Sequence, residues 1–479
     1  MKKITISKLF LYKYRFVIGY ILLGLAFVGL LFSLPLFSAT DLSSAEMSSA
    51  VTSYNLKFSS IFDGALVDLP YHLLQKCSIL LFGLSSFSIK LPSIIIGLLL
   101  GFLLILLLNR WFKNNVSLLA SALIVLSTPF LFLAGSGTPL IMLVFWPTLL
   151  LWLGSKIQGE KRPKPSYCLL FAIALLLAIF TPYMLYFAVF CVCFVIFQPH
   201  LRFVVKSLPK FPLIVIILFV LAGLTALTLN IINKPETILA LLFAPNFELS
   251  QFFPNIAAGF SPVFSWNNTP ESVFLSPLIG LPAFALALIG LFSTTKGFFA
   301  SRNSIASLLL VFTIIITGFN PDAVIFFIIP LAILVAHGLK YLLEKWYSLF
   351  PENPYARISG LIPLVILFAL ILIPSLLQYF YGYRYNPNVA NEFIGDLSLI
   401  HEHLTDEELL VPADTYDFYR ILEDSTDLTV VTSTDNLTAS TFASLGVPES
   451  WPSEYQLSRI ITSPKSDNSD RIYLYQKGE

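Results

Sequence analysis

Four carboxylates and an imidazole, Asp41, Glu46, Asp63, Asp68 and His72, sit in the short stretch from residue 38 to 93, between two strongly apolar runs. Ionisable groups kept at a membrane boundary are costly and mark functional sites by default. A carboxylate placed there can take the proton of an incoming hydroxyl as a general base. Lys57, Lys76 and Lys90 in the same stretch are the cations available to hold a departing phosphate. Each of these residues also has a structural alternative. Ser43-x-x-Glu46 is the pattern of a capping box that starts an interfacial helix, and Asp41 could stabilise a helix start, act as the base or stand solvated in a loop. Lys90 opens an apolar run and could snorkel. Asp63 precedes Gly64, as turn residues do. Asp68 and His72 are four apart on an expected helix, where they form either a substrate- or cation-binding face or a simple hydrogen-bonded pair.

The elements that must position these groups are membrane spans. Only 12% of the 479 residues are charged and 56% are hydrophobic, with a mean hydropathy of +0.81. An ordinary soluble domain carries roughly 25% charged residues, so a soluble class is excluded. Apolar runs on the order of 20 residues, the length that crosses a bilayer, fall at about 16–37, 89–108, 116–134, 139–153, 211–230, 273–292, 304–319, 322–338 and 358–380. The run 167–198 breaks at Thr181-Pro182-Tyr183 into two shorter spans, which gives about eleven. Residues 1–39 are expected to be an uncleaved anchor, because the apolar run exceeds a signal-peptide core and Phe37-Ser38-Ala39 is a poor cleavage site.

Charge orients the spans. With the N-terminus inside, the loops holding Arg110/Lys113, Lys156/Lys161/Arg162/Lys164, Arg202/Lys206/Lys210, Lys296/Arg302 and Lys340/Lys345/Arg357 all face the cytoplasm, together with the basic N-terminus. The acidic loops and the C-terminus then lie outside. Cys77, Cys168, Cys191 and Cys193 fall in or against the membrane and read as small buried hydrophobes, with no disulfide framework. His401-x-His403 is the only hint of metal-ligand spacing, so a divalent cation is the one cofactor the acids could recruit.

The composition turns polar and acidic from about Tyr383. Strand-like segments at 408–414, 428–434 and 470–476 alternate with helical patterns at about 389–403 and 415–423. This predicts a small extracytoplasmic α/β domain over 383–479 with a mainly parallel sheet built from about 408–412, 428–433 and 471–476, following a transmembrane domain over 1–382. Its negative charge argues against nucleic acid or anionic lipid as partner. The first exported loop spans 38–88, and a second, long outer loop spans 231–272. There Trp266 and Phe264 could stack on a sugar or anchor at the interface, in a segment expected to have little regular structure.

Taken in order, Asp41 and Glu46, DLPYHLL at 68–74, LFGLSSFSIKLPSIIIG at 81–97, NRWFK at 109–113 and LLASALIVLSTPFLF at 118–132 carry a family likeness. The chain resembles the GT-C membrane glycosyltransferases over about residues 16–135, in particular the protein O-mannosyltransferase and aminoarabinose-transferase-like group of glycosyltransferase family 39. Those families keep an acidic pair, a Pro-Pro-Leu-Tyr stretch and a Phe-Gly-x-Ser turn in this order. Here the acids are separated by Leu-Ser-Ser-Ala, Ala45 precedes Glu46, Leu69-Pro70 replaces the prolines, and Lys90 replaces an arginine. The resemblance implies an all-α bundle that moves a sugar from a polyprenyl-phosphate donor in the membrane to a glycan, lipid or protein hydroxyl outside. It implies Asp41 and Glu46 as catalytic acids, with Asp68, Tyr71, His72, Lys90 and Trp266 around the substrate. The alternative is a lipid-linked saccharide transporter or a catalytically inactive envelope assembly factor, but a transporter would place its ionisable groups near the bilayer midplane.

Overall fold

The structure is a computed structural model that describes residues 10–37, 42–57, 66–158, 164–244, 247–264, 279–296, 300–349, 355, 359, 361–382, 393–404, 407–424, 426–433, 439–447, 454–462 and 471–478. Asp41, Asp63 and Trp266 lie outside these residues, and Phe264 is described in its backbone alone.

Among the described residues, seven helices are long and apolar enough to cross a membrane. They include α1 (Phe10–Phe37), α4 (Ser86–Trp111), α7 (Met142–Gln158), α11 (Lys210–Asn233), α15 (Ser301–Phe319), α16 (Ile328–Leu349) with the 3-10 turn before it, and α17 (Leu361–Leu377). Two further apolar helix pairs are bent, by 60° between α5 (Asn114–Val125) and α6 (Thr128–Gly135), and by 100° between α9 (Met184–Phe197) and α10 (Pro199–Ser207). The shorter apolar helices α8 (Pro165–Ala178) and α14 (Leu281–Thr295) complete the bundle. Counting each bent pair as one pass gives nine, two fewer than the eleven expected; the difference is α8 and α14, which are shorter than a full span. The chain is a multi-pass membrane protein.

The bends have local causes. Thr128 and Pro129 open α6, and the Thr128 amide is held by Ser375 Oγ of α17 at 2.8 Å, so the freed backbone is satisfied from a neighbouring helix. Gln198, extended at φ −94°, stands before Pro199 and ends α9, as a residue preceding proline tends to do. Residues 323–339 are the buried centre of the bundle, whereas α1, α11 and α17 leave most of their apolar surface exposed. α14 lies directly on α16 because two glycines permit it. A Cβ on Gly290 would meet the Leu334 carbonyl oxygen at 1.9 Å, and one on Gly338 the Leu286 carbonyl oxygen at 2.2 Å. Small residues at such crossings let membrane helices pack backbone to backbone.

Outside the bundle, α2 (Ser44–Asn55) and α3 (Leu69–Phe82) form the first loop, and the tail builds a five-stranded sheet of order β4-β3-β5-β7-β6. Its strands are β3 (Glu408–Leu410), β4 (Thr429–Val431), β5 (Thr441–Leu445), β6 (Tyr455–Ile461) and β7 (Ile472–Lys477). The three expected strands are present, yet the sheet is mixed and not mainly parallel. β3 pairs in parallel with β4 and β5, while β7 runs antiparallel to both β5 and β6. The connection between β6 and β7 is too short for a crossover of a dozen or more residues, which forces the antiparallel arrangement. β5 and β6 escaped notice in the sequence because FAS and LSR lack a continuous apolar or alternating run.

The loop 231–272 is also more regular than expected. It contains α12 (Glu236–Leu242), a 3-10 turn at Leu249–Gln251 and α13 (Phe252–Phe264). α13 is positioned by Asn255 Nδ2, which donates to the Gly318 carbonyl at 3.2 Å, and by Gly259, which passes against Thr317 and Pro321.

The α14–α16 contact yields a direct test. Gly290→Ala should cost about 2 kcal/mol or more in thermal or denaturant unfolding, because the added methyl meets backbone. Gly24→Ala on lipid-facing α1, with nothing within 4 Å, should be neutral or stabilise by up to about 1 kcal/mol. Equal melting of the two variants would contradict the close packing.

Candidate active site

The first loop folds back onto the adjoining ends of the spans and onto the tail. A two-stranded ladder joins β1 (Leu42–Ser43) to β2 (Phe393–Ile394), pairing Leu42 with Ile394 and Ser43 with Phe393. Leu42, Met47, Ala50, Ile79, Leu84 and Ile89 of the loop share one apolar core with residues of the tail. His401 Nε2 donates to the Leu84 carbonyl at 2.8 Å, and the Tyr54 hydroxyl donates to Asp424. Residues 42–89 are therefore clamped between the bundle and the sheet region.

Glu46 is the junction. Ser43 Oγ accepts the Glu46 amide at 3.3 Å and Glu46 Oε2 accepts the Ser43 amide at 2.9 Å, the reciprocal capping box that starts α2. Glu46 Oε1 accepts the Gly137 amide at 2.6 Å and lies 3.8 Å from Lys90 Nζ. Both side chains of the pair are buried. A buried ion pair holds only when further hydrogen bonds satisfy it, and here the capping and Gly137 bonds do so. Lys90 does not snorkel: it turns inward to Glu46, with the Phe393 ring 5.9 Å away. A Cβ on Gly137 would come within 2.8 Å of Ile89 Cγ2 and 3.2 Å of the Ile89 carbonyl oxygen, so a larger residue there would force its neighbours to shift.

Beside this junction runs a second polar set that sequence reading missed. Gln75 Nε2 donates to the carbonyls of Ile89 (3.0 Å) and Gly137 (2.9 Å), and its Oε1 accepts from Ser49 (2.8 Å) and Ser53 (2.6 Å). All its bonding capacity is used. Ser53 Oγ also meets His72 Nδ1 at 2.8 Å, and the Tyr71 hydroxyl meets Ser93 Oγ at 2.8 Å. The available signal was spacing: Ser49 and Ser53 lie four apart on α2, and His72 and Gln75 three apart on α3, so each pair presents one polar face.

Asp68 stands apart from this network. It caps α3 in the left-handed region, φ 53°, makes no side-chain cap bond, and leaves Oδ1 without a partner although the residue is 8% exposed. The expected Asp68–His72 side-chain pair is not formed; the two are linked through the backbone, His72 amide to Asp68 carbonyl at 3.1 Å. With Asp68 capping from outside α3, its side chain is not on the helical face that carries His72. The Asp68 amide donates to the Phe180 carbonyl at 2.8 Å, which ties it to the break between α8 and α9. Tyr183 in that break, at φ 62°, is the other non-glycine residue with positive φ among those described. Left-handed non-glycine residues cost about 1–2 kcal/mol each, and two of them meeting at one point is the kind of strain that gathers at functional sites. Burial raises the Asp68 carboxyl well above its usual range and lowers the His72 imidazole to about 4.

Of the other cations, Lys76 Nζ donates to the carbonyls of Tyr54 (2.8 Å) and Leu56 (2.5 Å), closing the C-terminal end of α2, and Lys57 is exposed. Among the described residues, no group of three or more His, Cys, Asp or Glu side chains is arranged to hold a metal ion, and the four cysteines are free. An apolar cavity of about 340 Å³ opens beside the α5/α6 break, lined by Leu123, Pro282, Leu331, Leu370 and Ser375, away from the acids.

Two measurements follow from this geometry. Gln75→Leu strands two carbonyls and two hydroxyls and should lower stability by at least about 3 kcal/mol, at about 1–3 kcal/mol per unsatisfied buried group; a loss under 1 kcal/mol would mean the network is not closed. For Asp68, the folded carboxyl binds its proton more tightly than the unfolded one, so stability is lost as pH rises above the unfolded value near 4. His72 acts in the opposite sense, since stability is lost as pH falls from about 6.5 toward 4. Asp68→Asn should therefore melt as high as the parent at pH 5 and higher at pH 8, whereas His72→Asn should flatten the acid limb. A lower melting temperature for Asp68→Asn at pH 8 would contradict the unpartnered carboxyl.

Residues 70–225, running from α3 into α11, match the family model of dolichyl-phosphate-mannose-protein mannosyltransferases. No curated protein sequence matches the chain. Among solved structures, the chain is similar to ArnT from Cupriavidus metallidurans bound to undecaprenyl phosphate, with a TM-score of 0.54 and 14% identity over 95% of this chain and 98% of that one. It is also similar to the oligosaccharyltransferase of Archaeoglobus fulgidus tethered with an acceptor peptide, with a TM-score of 0.53 and 13% identity over 88% of this chain and 64% of that one. The same archaeal protein, AglB, in complex with an inhibitory peptide and a dolichol-phosphate gives a TM-score of 0.55 at 12% identity. The chain thus spans slightly under two thirds of the archaeal relative. Bundle, first-loop helices and mixed sheet together give this chain the GT-C fold.

Proposed function

We propose that the chain is a membrane glycosyltransferase that moves a sugar from a polyprenyl phosphate to an acceptor hydroxyl outside the cytoplasm. The observation that carries this reading is Asp68: a buried carboxyl with one unpartnered oxygen, held in a strained backbone where the first loop meets the α8/α9 break. Stability alone gives no reason to keep such a group, and a hydroxyl-rich ligand does. The GT-C fold supports the reading, as do the undecaprenyl phosphate and dolichol-phosphate complexes of the similar proteins. In this reading the N-terminus is cytoplasmic, residues 383–479 form the extracytoplasmic domain, and the cavity beside α6 receives hydrocarbon chain.

Roles divide by geometry. The oxygens of Glu46 are engaged by Ser43, Gly137 and Lys90, so Glu46 fits the capping alternative and positions the loop. Asp41, one residue before β1, takes the acceptor proton. Asp68, Tyr71 and His72 bind sugar hydroxyls, Lys90 contributes positive charge near the leaving phosphate, and Trp266 contributes a stacking face. A divalent cation, if one is used, binds with Asp41.

Asp41→Asn and Glu46→Gln separate the roles. With the full chain reconstituted and a polyprenyl-phosphate hexose donor, Asp41→Asn should fold normally and lose at least about a hundredfold in transfer rate. Glu46→Gln should lose stability first, since its amide nitrogen cannot accept the Gly137 or Ser43 amide. Full transfer by Asp41→Asn would transfer the base role to Asp68. Absence of transfer from the parent chain with any hexose donor would favour the inactive assembly factor.

A further inference from the structure

Two backbone carbonyls determine which nitrogen of His72 carries the proton. A carbonyl can only accept, so the Gln75 group facing the carbonyls of Ile89 and Gly137 is its NH2, at 3.0 and 2.9 Å. The Gln75 oxygen then faces Ser49 and Ser53 and must accept from both, at 2.8 and 2.6 Å. Ser53 has one hydroxyl proton, and it is committed to Gln75. At the 2.8 Å contact between Ser53 Oγ and His72 Nδ1, the serine is therefore the acceptor and Nδ1–H the donor. A neutral imidazole carries one proton, so Nε2 holds a bare lone pair. Among the described residues it has no hydrogen-bond partner, and it is not one of the fully enclosed unpaired atoms, as His337 Nε2 is.

We propose that His72 Nε2 is a hydrogen-bond acceptor for a hydroxyl of the donor sugar, its tautomer set by the relay Gly137/Ile89–Gln75–Ser53–His72. The inference rests on the glycosyltransferase reading. It assigns His72 a recognition role in place of proton transfer, because the buried ring stays neutral across the physiological range. The relay also supplies rigidity: it joins α2, α3, the start of α4 and the Gly137 turn, so the lone pair points in a fixed direction. A site built to pair with a hydroxyl rejects an analogue that lacks it far more strongly than an apolar pocket would.

The test combines spectroscopy with substitution on the full chain in nanodiscs. With histidines labelled in 15N, the His72 signals should report a protonated Nδ1 and an unprotonated Nε2 at both pH 7 and pH 5. Ser53→Ala should shift this tautomer balance, because the acceptor for Nδ1–H is gone. Adding a polyprenyl-phosphate mannose or glucose should move the Nε2 resonance, while the same lipid phosphate without sugar should leave it in place. His72→Asn keeps a donor where Nδ1 stands and removes the acceptor. It should preserve the fold and weaken sugar-donor binding at least tenfold relative to the bare lipid phosphate, and His72→Ala should do the same with added instability. A protonated Nε2 at pH 7, or a sugar donor that binds without moving Nε2, overturns the inference while leaving the glycosyltransferase reading intact. If native mass spectrometry shows that neither hexose donor binds the parent chain, both fall together.

Discussion

One buried carboxylate holds together the end of the bundle on which the tail packs. Glu46 closes the first turn of α2 through Ser43, accepts the Gly137 amide from the turn after α6, and faces Lys90 near the start of α4. The first is local, while the other two come from segments 91 and 44 residues away in sequence, and none of the three is apolar. In the bundle proper, lipid and helix are equally apolar, so association relies on close packing and internal polar bonds. At the outer boundary the same problem is solved by a charge that must be satisfied. Once Glu46 is in place, α2 and α3 are fixed relative to each other, and Gln75 can reach both the Gly137 and Ile89 carbonyls.

This arrangement separates groups that hold the site from groups that remain available to a ligand. Glu46, Gln75, Ser49, Ser53 and Lys76 are each engaged within the protein. Asp68 Oδ1 and His72 Nε2 are not. Their shifts run in opposite directions for one reason: burial disfavours charge, which raises an acid and lowers a base. Each is thereby pushed toward its neutral form, which suits exchange of hydrogen bonds with uncharged hydroxyls. The tail contributes by covering the loop, through the β1–β2 ladder and the His401 bond to Leu84.

Much of the architecture was legible in the sequence because it depends on composition and local patterning. Apolar run lengths gave the spans, Ser43-x-x-Glu46 gave the capping box, and Thr181-Pro182-Tyr183 gave the α8/α9 break. What stayed hidden depends on contacts between distant segments. Nothing near Lys90 says that its partner is Glu46 and not the headgroup region, and nothing near Asp68 says that its backbone will adopt a left-handed cap and turn the side chain away from His72. Gln75 drew no notice because a lone amide in an apolar helix has no signature until its partners arrive from α2 and the Gly137 turn. The antiparallel half of the sheet was missed for a related reason, since β5 and β6 are held by their partners more than by their own residues.

The most direct measurement is a structure of the full chain, in lipid nanodiscs, with a polyprenyl phosphate bound. The account predicts the phosphate at the first loop, between Lys90 and the α8/α9 break, with the prenyl chain leading between the spans. A phosphate seated at the opposite end of the bundle, beside Arg110 or Arg302, would contradict it.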